Sequence, residues 1–270
     1  MEIILISMAN FLTMNELHFL DPNPSGSPAV LLLHGLGVNA SSWTLQFDPL
    51  IKAGLRPLAP DLSGFGESRY DGHGWTIKRM AAALAALLDA LGTGPVYLVG
   101  LSLGGLVAQQ LVFDHPRLVK KLLLASSFAA LRPEHSSGWF YLLRRVLLVV
   151  FKGIPEQAAF VAARLFPQPE QEALRRLFVE QIIQADPRAY RAAMLAIALF
   201  DSRRRLARIR VPALVISGAN DGTASPFMQK TLAQGIPNAR QIIIAGAGHA
   251  VIVDHPEEFN QAMMEFLLSS

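Results

Sequence analysis

The segment Val96-Tyr-Leu-Val-Gly-Leu-Ser-Leu-Gly104 joins a β-rich apolar run to a helical pattern through a turn that contains Gly100, Ser102 and Gly104. A serine on such a tight strand-to-helix turn has an exposed hydroxyl, and its glycine neighbours are needed because larger side chains would collide with adjacent backbone. The start of the helix also offers unpaired N–H groups to developing negative charge. The segment therefore predicts a nucleophile at Ser102, and a glycine-rich packing turn is the alternative.

Strands and helices alternate on both sides of this segment. Short, continuous apolar runs predict strands that are covered on both faces; these runs are residues 29–33, 56–59, 96–99, 121–125, 213–217 and 241–244. The clearest helical patterns are residues 77–91 and 103–114, which end near Gly92 and Pro116. This alternation predicts an α/β fold with a mostly parallel sheet flanked by helices.

Residues 131–206 show no strand pattern and interrupt the alternation. Proline is tolerated in the first turn of a helix and not in its interior, so the prolines of this stretch divide it into about four helices. They are Pro133, Pro155, Pro167, Pro169 and Pro187. We therefore predict one core domain, residues 1–130 and 207–270, and a helical cap, or lid, at residues 131–206.

The first helical pattern of the cap, residues 139–151, is apolar nearly all round. Such a helix requires a cover, which packing against the core and the other cap helices would provide. The alternatives are that one side lines an apolar substrate pocket or touches a membrane surface. We expect Trp139 and Phe140 to line the pocket.

Two late segments supply partners for Ser102. A serine hydroxyl requires a base that accepts its proton, and the base is oriented by a carboxylate. His249 lies in a glycine-rich loop after the last predicted strand, and Asp221 follows the preceding strand. Both loops open at the carboxyl edge of the sheet, as Ser102 does. Asp254 is the rival carboxylate, although its place before Pro256 is typical of a helix start.

The loop after the strand at residues 29–33 reads His34-Gly-Leu-Gly37. An acyl-transfer site needs two N–H donors for the oxyanion, one from the residue after the nucleophile and one from this loop. We therefore expect the backbone N–H groups of Leu103 and Leu36 to form the oxyanion hole. Gly35 and Gly37 would let the backbone approach the substrate, and His34 would hold the loop by hydrogen bonding.

Composition excludes several other classes of function. The 270-residue chain is 51% hydrophobic and 17% charged, and no apolar run reaches the roughly 20 residues of a membrane span. Its net charge is only +3, and its one basic cluster, Arg203 to Arg210, has no interleaved aromatic residues, so nucleic acid is not expected as a partner. With no cysteine and no paired-histidine spacing, no metal site is expected.

The apolar residues 1–12 are interpreted as an extra strand or ragged start, and a cryptic signal or an over-long gene start is the alternative.

These motifs together resemble the α/β-hydrolase superfamily over nearly the whole chain from Glu16 onward. The likeness includes Asp61-Leu-Ser-Gly-Phe-Gly-Glu-Ser68, similar to the D-x-x-G-x-G-x-S turn of that family, and Gly218, Asp221 and Pro226, one residue off the commonest spacing. The chain looks like the small capped esterases, enol-lactonases and carbon–carbon bond hydrolases. The resemblance implies an eight-stranded type of sheet with the cap after the sixth strand, an acyl-enzyme mechanism and no cofactor.

The expected function is therefore a carboxylesterase that cleaves small-molecule esters with an apolar acyl or alcohol group. A lactonase or a carbon–carbon hydrolase acting on ring-cleavage products is the alternative, and a non-catalytic ligand-binding member of the fold is a distant one. The expected chain is a cytoplasmic monomer or homodimer with no stable membrane insertion.

Overall fold

A computed structural model describes residues 17–269, so the apolar run at residues 1–12 lies outside the described residues. The strands are β1 (Phe19–Leu20), β2 (Ala29–Leu33), β3 (Arg56–Pro60), β4 (Val96–Leu101), β5 (Val119–Ala125), β6 (Ala213–Gly218) and β7 (Arg240–Ile244). The helices are α1 (Thr44–Lys52), α2 (Ile77–Ala90), α3 (Leu103–Asp114), α4 (Ser136–Phe151), α5 (Ile154–Leu165), α6 (Glu172–Gln184), α7 (Pro187–Leu199), α8 (Pro226–Gly235), α9 (Val251–Asp254) and α10 (Pro256–Leu268).

The strands form one sheet in the order β1-β3-β2-β4-β5-β6-β7. All neighbours pair in parallel except β1, which runs antiparallel to β3 at the edge. The predicted α/β architecture with a mostly parallel sheet is confirmed. Residues 17–269 contribute seven strands rather than the eight that the resemblance implies, and the cap helices accordingly follow the fifth of these strands, β5.

The predicted strands are all present, and most extend by one or two residues beyond the apolar runs. Strand β5 begins at Val119 rather than at residue 121, because Val119 pairs with Val96 across an irregularity in the ladder. Hydrogen bonding to a neighbouring strand extends a strand past the point where its side-chain pattern ends, which is why its boundary is hard to read from one sequence.

The register of the ladders aligns the carboxyl ends of the central strands. Leu33 of β2 lies opposite Gly100 of β4, which lies opposite Leu124 of β5. Gly218 and Ile244, the last residues of β6 and β7, are also partners. The loops that follow these strands therefore leave the sheet at one edge, where ligands of open parallel sheets bind.

Helices α4 to α7 lie within the predicted insertion, residues 131–206. A buried polar contact holds the end of this stretch to the core. The Ser202 hydroxyl donates to Oε1 of Gln109 at 2.6 Å, and the Ser202 N–H donates to the Ala129 carbonyl at 2.8 Å. The side chain of Gln109 also donates to the Phe128 carbonyl, so both ends of its amide are used at this junction. The separation of core and cap into two domains stays a prediction.

Helix α4 has two different faces. Tyr141 and Val149 are buried against the rest of the protein. On the opposite face Phe140 is 67% exposed and Phe151 is 76% exposed. The expectation that this helix is covered all round is wrong for its outer face, because the other cap helices pack on one side of it only.

The Asp61 carboxylate organises the turn that follows β3. Its Oδ1 accepts from the N–H of Ala40 at 2.7 Å, and its Oδ2 accepts from the N–H of Glu67 at 2.9 Å. Oδ2 also lies 2.8 Å from Nδ1 of His18. A buried carboxylate that accepts several N–H bonds joins chain segments that are distant in sequence. These contacts explain why the first position of the D-x-x-G-x-G-x-S turn is an aspartate, Asp61.

Replacing Asp61 with alanine leaves the buried Ala40 N–H without its acceptor, and we expect the free energy of unfolding to fall by about 3 kcal/mol. The matched control is Asp89→Ala on the exposed end of α2, which should change stability by less than about 0.5 kcal/mol. Urea unfolding followed by circular dichroism measures both. Equal stability of the two variants would show that Asp61 is dispensable to the fold.

Candidate active site

Ser102 occupies a strained turn between β4 and α3. Its φ of 51° and ψ of −113° lie outside the regions that serine usually adopts. A Cβ on Gly104 would lie 2.2 Å from the Leu33 carbonyl oxygen, and one on Gly100 would lie 2.6 Å from the Gly104 oxygen. Only glycine fits at either position, because the colliding atoms belong to backbone that cannot move aside. The two glycines thus allow the close backbone packing around Ser102, and their part in a catalytic site stays a prediction.

The structure brings the three predicted catalytic side chains into one hydrogen-bonded chain. Nε2 of His249 lies 3.0 Å from Oγ of Ser102, and its Nδ1 lies 2.9 Å from Oδ2 of Asp221. A carboxylate at Nδ1 places the imidazole proton there and leaves Nε2 free to accept the serine proton. The Asp221 and His249 side chains are both buried, so solvent screens their interaction weakly.

The Asp221 carboxylate is held by donors besides the histidine. Oδ1 accepts from the N–H groups of Thr223 and Ala224, at 2.8 and 2.9 Å. Oδ2 accepts from Nε2 of Gln229 at 3.1 Å. These donors fix the position of the carboxylate beside the histidine. Sequence reasoning did not identify Gln229, whose position one turn into α8 carries no distinctive motif.

Asp254 has a different position from the one predicted. It is the last residue of the short helix α9 rather than a helix-start residue, and α10 begins after His255 without a side-chain cap. Oδ2 of Asp254 accepts from the N–H of Gly248 at 2.8 Å. The prediction of a helix start is therefore wrong, because Val251 to Asp254 form a separate turn of helix. Asp254 contacts the loop that carries His249, and Asp221 contacts the histidine itself.

His34 joins the loop after β2 to the loop after β3. Nδ1 lies 2.8 Å from the Gly35 carbonyl, and Nε2 accepts from the Leu62 N–H at 2.9 Å. The acceptor role of Nε2 requires the proton on Nδ1, which then donates to Gly35. Burial lowers the pKa of His34, so its neutral form is favoured. The expected loop-holding hydrogen bonds of His34 are present.

The predicted oxyanion loop lies beside the nucleophile. A Cβ on Gly35 would lie 3.6 Å from Cβ of Ser102, which shows how closely the two backbones approach. Gly37 has a φ of 84°, and a Cβ there would lie 2.6 Å from the Ile182 side chain of α6. Gly37 therefore lets the cap approach the core. The roles of the Leu36 and Leu103 N–H groups stay predictions; Leu36 lines the cavity described next, and Leu103 is the first residue of α3.

A cavity of about 430 Å³ opens onto Ser102 and His249. Most of its wall is apolar and comes from the cap and the loops at the carboxyl edge. Representative residues are Leu131, Leu142, Val161, Leu165, Phe166 and Phe178. A volume of this size accommodates a small organic substrate.

The expectation that Trp139 and Phe140 line this cavity is wrong. Both side chains are on the outer face of α4, where Trp139 is 49% exposed. Tyr141, Leu142 and Arg145 line the cavity instead. Residues 141 and 145 are one helical turn apart and so share a face. Their spacing was visible in the sequence, but which face of an almost wholly apolar helix points inward was not.

Residues 17–269 contain no group of three His, Cys, Asp or Glu side chains that could hold a metal ion. None of the helices in this range combines the length and the hydrophobicity required to cross a bilayer. Within the basic cluster, Arg203 pairs with Asp201 at 2.6 Å, and Arg205 donates to Oε1 of Gln110 at 3.2 Å. Two of the clustered arginines are thus engaged in local contacts.

Comparisons with known proteins identify the family and the fold. The sequence matches the alpha/beta hydrolase family over residues 30–262. It is 31% identical to a protein of Variovorax paradoxus provisionally named carbamate hydrolase RutD, over 93% of this chain and 96% of the relative. The structure is similar to an enol-lactonase from Burkholderia xenovorans, with a TM-score of 0.85 and 26% identity, and the match covers 94% of this chain and 96% of the lactonase. It is also similar to an esterase from Thermogutta terrifontis, with a TM-score of 0.79 and 30% identity, and the match covers 93% of this chain and 92% of the esterase.

The neutral, buried His34 predicts a pH dependence of stability. Below its ordinary pKa of about 6.5 the unfolded chain binds a proton on this imidazole, whereas the folded protein resists doing so. The contribution of His34 to the free energy of unfolding is therefore fully present above about pH 6.5 and is lost as the pH falls below that value. In urea unfolding at several pH values, we expect His34→Gln to be less stable than wild type at neutral pH and to lose less stability on acidification. Parallel pH profiles would contradict this account.

Proposed function

The chain belongs to the alpha/beta hydrolase family, and we propose that it is a serine hydrolase that cleaves carboxylic esters with an apolar acyl or alcohol group. Ser102 is the proposed nucleophile, His249 the general base and Asp221 the residue that orients the base. The observation that supports this most directly is the continuous chain of hydrogen bonds from Asp221 through His249 to Ser102, which ends at the apolar cavity.

In the first half of the reaction Oγ of Ser102 attacks the ester carbonyl carbon while Nε2 of His249 takes the hydroxyl proton. The carbonyl oxygen becomes an oxyanion, for which the N–H groups of Leu36 and Leu103 are the proposed donors. The bond between the carbonyl carbon and the alkoxy oxygen then breaks, and the His249 imidazolium protonates the departing alcohol. The acyl group remains as an ester on Ser102.

The second half restores the enzyme. A water molecule enters, gives a proton to Nε2 of His249 and attacks the acyl carbon. The resulting tetrahedral intermediate collapses with cleavage of the bond to Oγ, which regains its proton from the histidine. The carboxylic acid leaves. Asp221 stays ionised throughout and stabilises the imidazolium by charge and by its hydrogen bond to Nδ1.

The apolar wall of the cavity supports a preference for apolar groups. Each buried methylene contributes about 0.8 kcal/mol of favourable transfer free energy, which corresponds to a factor of about four in kcat/KM when the gain is retained in the transition state. We therefore expect kcat/KM to rise with chain length until the cavity is filled and then to stop rising.

A lactonase or a carbon–carbon bond hydrolase is the alternative. A lactone is a cyclic ester, so the same attack and protonation steps open it, with the alcohol still tethered to the acyl group. The likeness to an enol-lactonase supports this alternative. The distant alternative, a non-catalytic ligand-binding protein, has less support because His249 hydrogen-bonds both of the other proposed catalytic side chains.

Initial rates on p-nitrophenyl esters from acetate to palmitate test the proposal. Ser102→Ala should lower kcat by at least about a thousandfold, because it removes the attacking atom. Asp221→Asn should cost up to about ten-thousandfold, because an amide facing Nδ1 favours the wrong imidazole tautomer.

Asp89→Asn, on the exposed end of α2, is the matched control and should leave the rates unchanged. Retained activity in Ser102→Ala would exclude it as the nucleophile. If the wild-type protein hydrolyses no linear ester but opens lactones or cleaves ring-cleavage acids, the esterase proposal is wrong and the alternative takes its place.

A further inference from the structure

Several polar side chains interrupt the apolar wall of the cavity that contains Ser102 and His249, and three of them lie on α4 and on the loop after β6. Tyr141 and Arg145 come from adjacent turns of α4, and Thr223 comes from the loop that holds Asp221. The mechanism proposed above assigns no role to any of these side chains. Their presence within an otherwise apolar wall requires an explanation, because burying a polar group costs free energy unless it is paired.

Two of these groups are buried without a partner. The Tyr141 side chain is 8% exposed, and within residues 17–269 neither its hydroxyl nor that of Thr223 has a hydrogen-bond partner at ordinary geometry, although the two hydroxyls are near enough to each other for Thr223 to affect the pKa of Tyr141. Buried hydroxyl groups are nearly always hydrogen-bonded in folded proteins. Burial raises the pKa of Tyr141, so its hydroxyl keeps its proton and remains a donor. The two hydroxyls are therefore available to a ligand that accepts hydrogen bonds.

Two arginine side chains lie near the Tyr141 ring. The guanidinium carbons of Arg145 and Arg164 lie 5.8 and 4.3 Å from the centre of the Tyr141 ring. Arg164 donates to the Gly222 carbonyl, next to Thr223. Among the described residues no acidic side chain forms an ion pair with Arg145.

The Arg145 side chain is held in place from the side of the cap. In the orientation that satisfies both ends of its amide, Gln157 accepts from Nε and Nη2 of Arg145 at 2.8 and 3.2 Å. Gln157 is fully buried, so it fixes the guanidinium without neutralising its charge. Tyr141, Thr223 and Arg145 thus supply hydrogen-bond donors and one positive charge. An anion would supply the matching acceptor.

We propose that Tyr141, Thr223 and Arg145 form a polar subsite that binds a carboxylate of the substrate. Two neutral hydroxyl donors and one guanidinium suit a monoanion with two oxygens. The preferred substrates would then carry a free carboxylate in addition to the bond that Ser102 attacks. This inference rests on the proposed function and specifies its substrate class.

The test compares two p-nitrophenyl esters of equal chain length, the hydrogen glutarate and the pentanoate, after subtraction of the uncatalysed rates. Wild type should favour the glutarate in kcat/KM. Arg145→Gln and Tyr141→Phe should each lose about tenfold or more on the glutarate and less than about twofold on the pentanoate, since hydrogen bonds to a charged group contribute most. Arg144→Gln, an exposed neighbour on the same helix, should behave as wild type.

The outcomes separate the subsite from the proposed function. Turnover of both esters with no preference, unaltered by Arg145→Gln, overturns the subsite and leaves the hydrolase proposal in place. If neither ester is cleaved, the esterase proposal fails, and thermal stabilisation of wild type by glutarate and by pentanoate tests the subsite directly. Stabilisation by glutarate that is lost in Arg145→Gln supports the subsite, and equal effects of the two acids refute it.

The outer face of α4 carries a second, independent feature, which we call the apolar stripe. Seven large apolar side chains lie along it with spacings of three and four residues, and each is 45–76% exposed. They are Trp139, Phe140, Leu143, Val146, Leu147, Val150 and Phe151. An exposed apolar area of this extent marks an interaction surface.

The charges beside the apolar stripe identify its occupant. Residues 136–152 contain no acidic residue, and the exposed Arg144 and Lys152 border the stripe. Aromatic residues on one face with basic residues beside them are typical of helices that lie in a membrane interface. A second copy docked on the same face would bring basic residues of both copies together with no acidic partner on either helix, which disfavours a dimer.

We infer that the apolar stripe adsorbs to an anionic lipid surface without crossing it. Sedimentation with vesicles of phosphatidylcholine alone, or mixed with phosphatidylglycerol, tests this. Wild type should bind the mixed vesicles more strongly, and the double variant Phe140→Ser with Phe151→Ser should bind them at least about tenfold less.

The control double variant, Phe227→Ser with Ile243→Ser, removes similarly exposed apolar side chains elsewhere and should bind as wild type does. Equal binding of both double variants overturns the inference. So does a wild-type dimer that Phe140→Ser with Phe151→Ser converts to a monomer in light scattering, since a second copy would then occupy the stripe.

Discussion

The backbone at Ser102 has a positive φ because the chain reverses from β4 into α3 within one residue. Its N–H donates to the Ala125 carbonyl at 2.9 Å, and its carbonyl accepts from Oγ of Ser127 at 3.0 Å. These contacts to the end of β5 and the residues after it hold the strained turn in place. The close approach of β2 leaves room only for glycine at position 104. The location of the hydroxyl thus depends on two neighbouring strands.

The other two proposed catalytic residues depend on the same sheet edge. β6 and β7 end at partners Gly218 and Ile244, and the loops that follow them carry Asp221 and His249. Backbone and side-chain donors fix Asp221, while Asp254 holds the loop of His249 through Gly248. This preorganisation matters because a general base must lie within hydrogen-bond reach of the proton that it removes.

Helix α4 lies between the cavity and the solvent. Its inner face places Tyr141 and Arg145 on the wall near Ser102, and its outer face carries the apolar stripe. The inner face would then meet a substrate with an apolar body and a carboxylate end, while the outer face would meet lipid. The carboxylate at the subsite would fix the orientation of the substrate, while the apolar wall would contribute most of the buried area.

The sequence by itself determined the fold class, because strand runs are local features. It also predicted Ser102 with its glycines, Asp221 and His249 from tight turns and loops at strand ends, and the folded chain brings these three side chains together. The sequence did not determine which face of α4 points inward, so Trp139 and Phe140 were misassigned, and Asp254 was misread as a helix start. Gln229, Gln157 and Thr223 also became visible only in the folded chain. Their contacts join positions far apart in sequence, and no local pattern records such contacts; only the packing of cap against core decides them.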